Sequence, residues 1–388
     1  MTARDSFNAA MRFDRTLPAL KAEFGYWTTT VKRFLREGMP QAAPLPAGLT
    51  DNGTISGATA VDPSGSTVPD VNVRAACGLD SYAAKFPCDF SPRLPVRVVE
   101  EDEEYRTLYD SYGILKKERK TGSTPPLDLA FPIATRADFD AYRERYDLSS
   151  FASRLPNGWD ALLPKVQARN YPIRLGGFPY GFLGLPRHLM GIEGMFLAMY
   201  DDPQLIKDIN AFFLDFVMDY WAPIITAVQP DCVMIWEDMA YSSGSMIGNE
   251  AFREFLSPCY RVMVDFLRGL GVQNIHVDCD GYIEKLIPLW VEVGITGVFP
   301  LERKAGNDLR RIRADFPRLQ LLGGMDKRVL TADKREADVD REISIAAEIL
   351  AQGGFVPHVD HHVSDDACWS NFRLYRTRLN QAIEEAVS

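Results

Sequence analysis

The chain is poor in the residues that usually mark a site. It has five histidines and six cysteines in 388 residues, and no two cysteines stand in a CxxC spacing. Cys77, Cys88, Cys232, Cys259, Cys279 and Cys368 are scattered along a long chain. That pattern points to reduced thiols, mostly small buried hydrophobes, rather than to a disulfide framework. Long basic runs are absent and the formal net charge is −10, which argues against nucleic acid or an anionic membrane surface as the main partner. No apolar run approaches the ~20 residues that cross a bilayer. The opening MTARDSFNAAMRFDR carries acids and no apolar stretch of the kind a secretory signal needs. A cytoplasmic location is the expectation. Neither GxGxxG nor GxxxxGKS/T opens a helix, which disfavours dinucleotide-binding and P-loop folds.

What is present is ordinary in bulk and informative in order. Hydrophobic residues make up 46% and charged residues 25%, as in a soluble globular protein. The length suits one large barrel with insertions, or two domains. ALKAEFGYW reads as a strand and VKRFLREG as a helix. From Gly48 to Val71 small and turn-forming residues dominate, giving a long surface loop. Residues 73–150 mix strand-like PVRVVEED and LDLAFPI with charged turns. After Tyr171 short apolar runs (IRLGGF, DCVMIWED, QNIHVDCDG, GITGVFPLE, LQLLGGMD, GGFVPHVD) alternate with amphipathic helices. Strand–helix alternation of this kind predicts a parallel sheet covered on both faces. The expected architecture is a single (β/α)8 barrel over residues 1–388, with a loop-rich N-terminal elaboration at about 45–150.

Each later strand runs into ionisable groups: Glu237 and Asp238; His276 and Asp278; Glu302; Asp326, Lys327 and Arg328; Asp360, His361 and His362. In a parallel barrel these strand ends open on one face, where active sites are built. Polar residues also mark where any strand leaves the core, but the predominance of His, Asp and Glu over Ser, Gly and Asn favours chemistry. Strand parity puts His276 and Asp278 on one face and turns Cys279 elsewhere. With His361 from a neighbouring strand they have the composition of a catalytic zinc or non-haem iron site. A metal-free site would give the same residues acid–base duties. Glu237, Glu302 and Asp326 are the candidate catalytic carboxyls. Tyr26, Trp27, Tyr180 and Tyr241 are candidate substrate walls, with Lys327 a candidate substrate contact. His188 reads as structural.

The segments IWEDMAYSSGSMIGNEAFREFLSPCYRVMVDFLRG, HVDCDGYIEKLIPLWVEVGITGVFPLERKAG and GGFVPHVDHHVSDDACWSNFRLYRTRL resemble the uroporphyrinogen decarboxylase-like superfamily. That superfamily includes the decarboxylases themselves and cobalamin-dependent methyltransferases. The resemblance implies the barrel and a site at its strand C-termini. The decarboxylases carry an arginine-rich segment similar to MRQAGRY; here the corresponding KAEFGYWTT has no arginine, so an unpaired polycarboxylate would be costly. In the methyltransferases the zinc ligands are a His-x-Cys pair and a later cysteine. The matching positions are His276, Asp278 and His361, harder ligands suited to an ether or phenolate oxygen. The resemblance therefore implies a corrinoid-dependent O-demethylase acting with Zn²⁺ on a small methyl donor such as a methoxyaromatic. Its cobalamin or other corrinoid acceptor would arrive free or on a separate corrinoid protein, and a homodimer is the commonest assembly. The alternatives are a metal-free decarboxylase, with Asp238 or Asp326 moving the proton and Lys327 or Arg328 holding a carboxylate, and a non-catalytic tetrapyrrole-binding protein.

Overall fold

The computed structural model describes residues 1–387 except 48, 52, 58–69, 82–83, 122–124 and 150. Most of the expected surface loop at 48–71 lies outside the described residues. A seven-stranded parallel sheet forms the centre. We label its strands β1 (Ala84–Lys85), β2 (Ile173–Gly176), β3 (Cys232–Trp236), β4 (Ile275–Asp278), β5 (Gly297–Phe299), β6 (Gln320–Met325) and β7 (Phe355–Val359), each hydrogen-bonded to the next in chain order. The strands are near-continuous apolar runs because both faces are covered. Val233, Ile235, Val277 and Leu321 pack outward into the helical layer. Cys232, Met234, Phe299, Leu322 and Val356 face a second cluster inside the sheet's curve.

The segment before Trp27 runs along the free side of β7. The amide of Val359 donates to Glu23 Oε2 at 3.0 Å, and Tyr26 bridges Val363 in parallel. Glu23 is in turn held by Arg376 Nη1 at 2.8 Å, an ion pair sealed from water. Only Gly25–Trp27 of the expected ALKAEFGYW strand is regular, paired antiparallel with Thr54–Ser56. The helix after it covers Thr28–Arg36.

An N-terminal helix, Ala3–Met11, was not legible as such. Thr2 and Asp5 form its capping box, and Phe7, Ala10 and Met11 plug the inner cluster at the strand N-termini. Gly354 N–H donates to Ala10 O at 3.1 Å, fixing the plug against the start of β7.

Between β2 and β3 lies a 26-residue helix, Pro203–Val228, started by Asp202, whose side chain accepts Leu205 N–H, and by Pro203. By length and composition it is apolar enough to cross a membrane, which corrects the expectation that no such run exists. It buries Ile206, Ile209, Phe213, Val217, Tyr220 and Ile224, one helical face, in the core. The elaboration contains a four-stranded antiparallel meander, Arg97–Glu101, Tyr105–Tyr109, Leu115–Arg119 and Leu127–Ala130, followed by the helix Arg136–Arg143.

Candidate active site

Strand β4 carries two inward-facing ionisable side chains on neighbouring layers. His276 pairs in register with Met234 and Gly297, and Asp278 with Trp236 and Phe299. The lower one is fully buried and bound into the plug. Gln320 donates its amide to Met11 O and Asn274 Oδ1, each at 2.8 Å, so its oxygen is left to accept from His276 Nε2 at 2.8 Å. The imidazole is therefore the Nε2–H tautomer. Burial pushes its pKa down to about 4, which keeps it neutral.

Asp278, one layer higher, is only half-buried. Partial removal from water, followed by the nearby Asp238 and Asp280 carboxyls, raises its pKa well above the carboxylate range, and Arg174 and Lys85 only partly offset this. The neutral acid is thus favoured. Asp238, in the left-handed region at φ 42°, is itself lifted to about 6 by burial and by Asp280. It accepts the Asp280 amide at 3.2 Å, which brings the loops after β3 and β4 together. Gly281 closes that turn at φ 85°, where a Cβ would lie 2.5 Å from Ala240 O.

Around the rim, His361 Nε2 lies 3.4 Å from Asp280 Oδ2. Burial alone would lower the imidazole's pKa, but Asp280 and Glu302 outweigh it, and the net shift is upward. Glu302 accepts Gly281 N–H at 2.9 Å. Asp360 joins two further loops by accepting the amides of Arg303 at 2.8 Å and Lys327 at 3.2 Å. The open side is aromatic. Phe178 is 45% and Tyr241 53% exposed, and the Phe178 ring meets Trp236 edge-on at 4.7 Å. Trp27 stands beside His362, ring centroids 6.0 Å apart.

The family model for uroporphyrinogen decarboxylase (URO-D) matches residues 117–374, more than half of the chain. The chain belongs to the uroporphyrinogen decarboxylase family. Over their whole lengths it also superposes on a methyltransferase from Methanosarcina mazei, with a TM-score of 0.59 and 13% identity, a likeness of fold. A B12-independent methionine synthase from a Shewanella species shares 12% identity at a TM-score of 0.39, over 80% of this chain and 84% of that one. No protein of curated function matches the sequence.

Several residues singled out from the sequence of this family member have other duties. Glu237 faces away from the mouth. It is fully buried and accepts the amides of Phe182, Leu183 and Gly184 at 2.9, 2.7 and 2.9 Å and the Tyr260 hydroxyl at 2.5 Å. That anchors the helix beginning at Gly184 and leaves no lone pair aimed at a substrate. Asp326 is engaged by the backbone and guanidinium of Arg328. Tyr26 is buried against Phe372, and Tyr180 lies among Phe90, Phe182 and Trp221, so neither is a mouth wall.

The proposed metal set His276, Asp278 and His361 is not gathered. His276 is tied to Gln320 at the plug, His361 to Asp280 at the rim, and Asp278 lies between them. Among the described residues no three His, Cys, Asp or Glu side chains are placed to hold one ion. The residues therefore do not fit the zinc site. Cys279 does turn away: it is buried, and its sulfur accepts Met239 N–H at 3.2 Å.

Two cations went unnoticed. Arg174 on β2 and Lys85 on β1 are register partners, and the charge of both acts on the Asp278 carboxyl. Parity held the signal, since Arg174 alternates with the sealed Ile173 and Leu175 in IRLGGF.

Proposed function

We propose that this protein is a methyltransferase that removes a methyl group from an O-methyl substrate bound in the mouth, passing it to a cobamide brought to the rim as co-substrate. The mouth is that of a barrel in which the extended segment 20–27 supplies the eighth stave. The observation that carries the proposal is Asp278, an acid favoured in its neutral form, half-buried at the end of β4 below exposed aromatic walls. When an ether loses its methyl group, the bonding electron pair stays on oxygen. A proton delivered there by Asp278 neutralises the charge as it develops. The His361–Asp280 pair, with Glu302 near it, would return a proton to the acid. Phe178, Trp236 and Tyr241 would orient an apolar ring and exclude water from it.

A second proposal is favoured by Arg174 and Lys85. Two cations beside a neutral acid also suit a decarboxylase, which would bind a carboxylate and protonate the carbon that loses CO2. The experiment that separates the two follows both products from 4-methoxybenzoate with cob(I)alamin. Methylcobalamin with 4-hydroxybenzoate is the expected outcome, and in Asp278→Asn its rate should fall by about 10²–10⁴-fold. Release of CO2 with the methoxy group intact, or an undiminished rate in the variant, would overturn the methyl-transfer mechanism.

A further inference from the structure

We infer that the barrel holds a subsite for a single carboxylate group of its ligand, formed by the Arg174 guanidinium and the Lys85 ammonium; this rests on the mouth being the substrate site, not on methyl transfer. The two residues are register partners on adjacent parallel strands. Side-by-side cations on one face repel each other and destabilise the sheet unless something answers them. Little does. Among the described residues Arg174 meets only Met234 Sδ, at 3.3 Å, and Lys85 only the Phe178 carbonyl, at 3.2 Å. Thioether sulfur is a weak acceptor.

The contrast with the buried arginines is sharp. Arg169 meets Asp231 at 2.9 Å, Arg376 meets Glu23 at 2.8 Å, and Arg154 and Arg313 are each held by backbone carbonyls. The Arg174 side chain has no oxygen partner among the described residues, and its charge and that of Lys85 both act on the Asp278 carboxyl.

The chemistry of the ligand follows from the surroundings. A guanidinium presents a planar fork that fits a carboxylate. Phe178, whose carbonyl receives Lys85, turns its ring toward Trp236 and offers an apolar surface beside the cations. Higher up, Asp238, Asp280 and Glu302 crowd the rim, where a second anionic group would meet like charge. The ligand class is accordingly a small aromatic monocarboxylate rather than a polyanion.

Isothermal titration of the full-length protein with 4-methoxybenzoate and with 4-methoxybenzyl alcohol tests this. The acid should bind about tenfold or more tightly than the alcohol. Arg174→Met and Lys85→Met should each weaken the acid about tenfold or more while leaving the alcohol unchanged. Arg174→Lys should fall between. Lys85 is solvent-exposed, so Lys85→Met carries the test if Arg174→Met does not fold. Equal affinity for acid and alcohol, undiminished acid binding in Lys85→Met, or no acid binding at millimolar concentration overturns the subsite. Cation-dependent acid binding without methyl transfer to cob(I)alamin upholds the subsite and removes the proposed activity. Methyl transfer from the alcohol as fast as from the acid does the reverse.

Discussion

Two ends of the same parallel sheet differ in how their polar groups are answered. At the N-terminal end the helix Ala3–Met11 and Gln320 hold His276 through its Nε2, while its Nδ1 has no hydrogen-bond partner among the described residues. One layer higher, Asp278 sits against other carboxyls, and Lys85 and Arg174 lack ion-pair partners among the described residues. Both His276 and Asp278 stand on β4, two residues apart and facing the same way. Chemical type therefore does not separate the structural residue from the functional one. What separates them is charge: His276 is a neutral ring tied to Gln320, whereas Asp278 lies among other carboxyls and two cations.

The largest test of that contrast sets Asp278→Asn against the two buried anchors. Asp278→Asn keeps the shape and removes the proton, so the rate should fall by the factor given above while the unfolding midpoint stays put. Glu237→Ala should do the opposite. It strands three amides and a tyrosine hydroxyl in the core, and urea unfolding should show a loss of roughly 3–5 kcal/mol. His276→Ala comes next, with a loss of about 2–3 kcal/mol from a buried cavity and the lost hydrogen bond to Gln320, whose oxygen keeps the Thr296 hydroxyl at 2.7 Å. Its folded fraction should keep the wild-type rate. A loss of turnover in folded His276→Ala, with unchanged stability, would place that imidazole in the chemistry and collapse the distinction between the two ends.

Much of this was legible in the sequence. The strand–helix order after Tyr171 gave the parallel sheet, and strand ends rich in acids and imidazoles marked the face now seen to hold Asp278, Asp280, Glu302 and His361. Periodicity could not tell depth. His276 and His361 are the same residue type near strand ends, yet one lies at the plug and the other at the rim. Glu237 follows its strand as a site carboxylate would, but the next half-period turns it outward onto the Gly184 helix. The plug helix was missed because MTARDSFNAAMRFDR is short and mixed in polarity, and its role comes from what it closes. Arg174 was visible by parity but hidden inside an apolar run.

The mildest test concerns pH and turns on the histidines. Burial holds His188, His276, His358 and His362 neutral, with pKa values pushed down to about 3, 4, 4 and 3. In the unfolded chain each titrates near ~6.5, so between that pH and the folded values the unfolded state binds more protons. Stability should therefore fall as pH drops through that window. His361 has the opposite sign. Its folded pKa is raised, so its contribution is fully present below the ordinary histidine value and is lost as pH rises through the folded one. The contribution is small, because the pair stands partly in water at 3.4 Å. In Asp280→Asn the His361 resonance in an NMR titration should move to a lower pKa, and the alkaline loss should shrink. The part of the acid arm set by His188, His276 and His358, whose shifts have other causes than Asp280, should not change. If the His361 titration is unmoved, the rim imidazole is not held in its charged form by that carboxylate, and the proton return assigned to the pair goes with it.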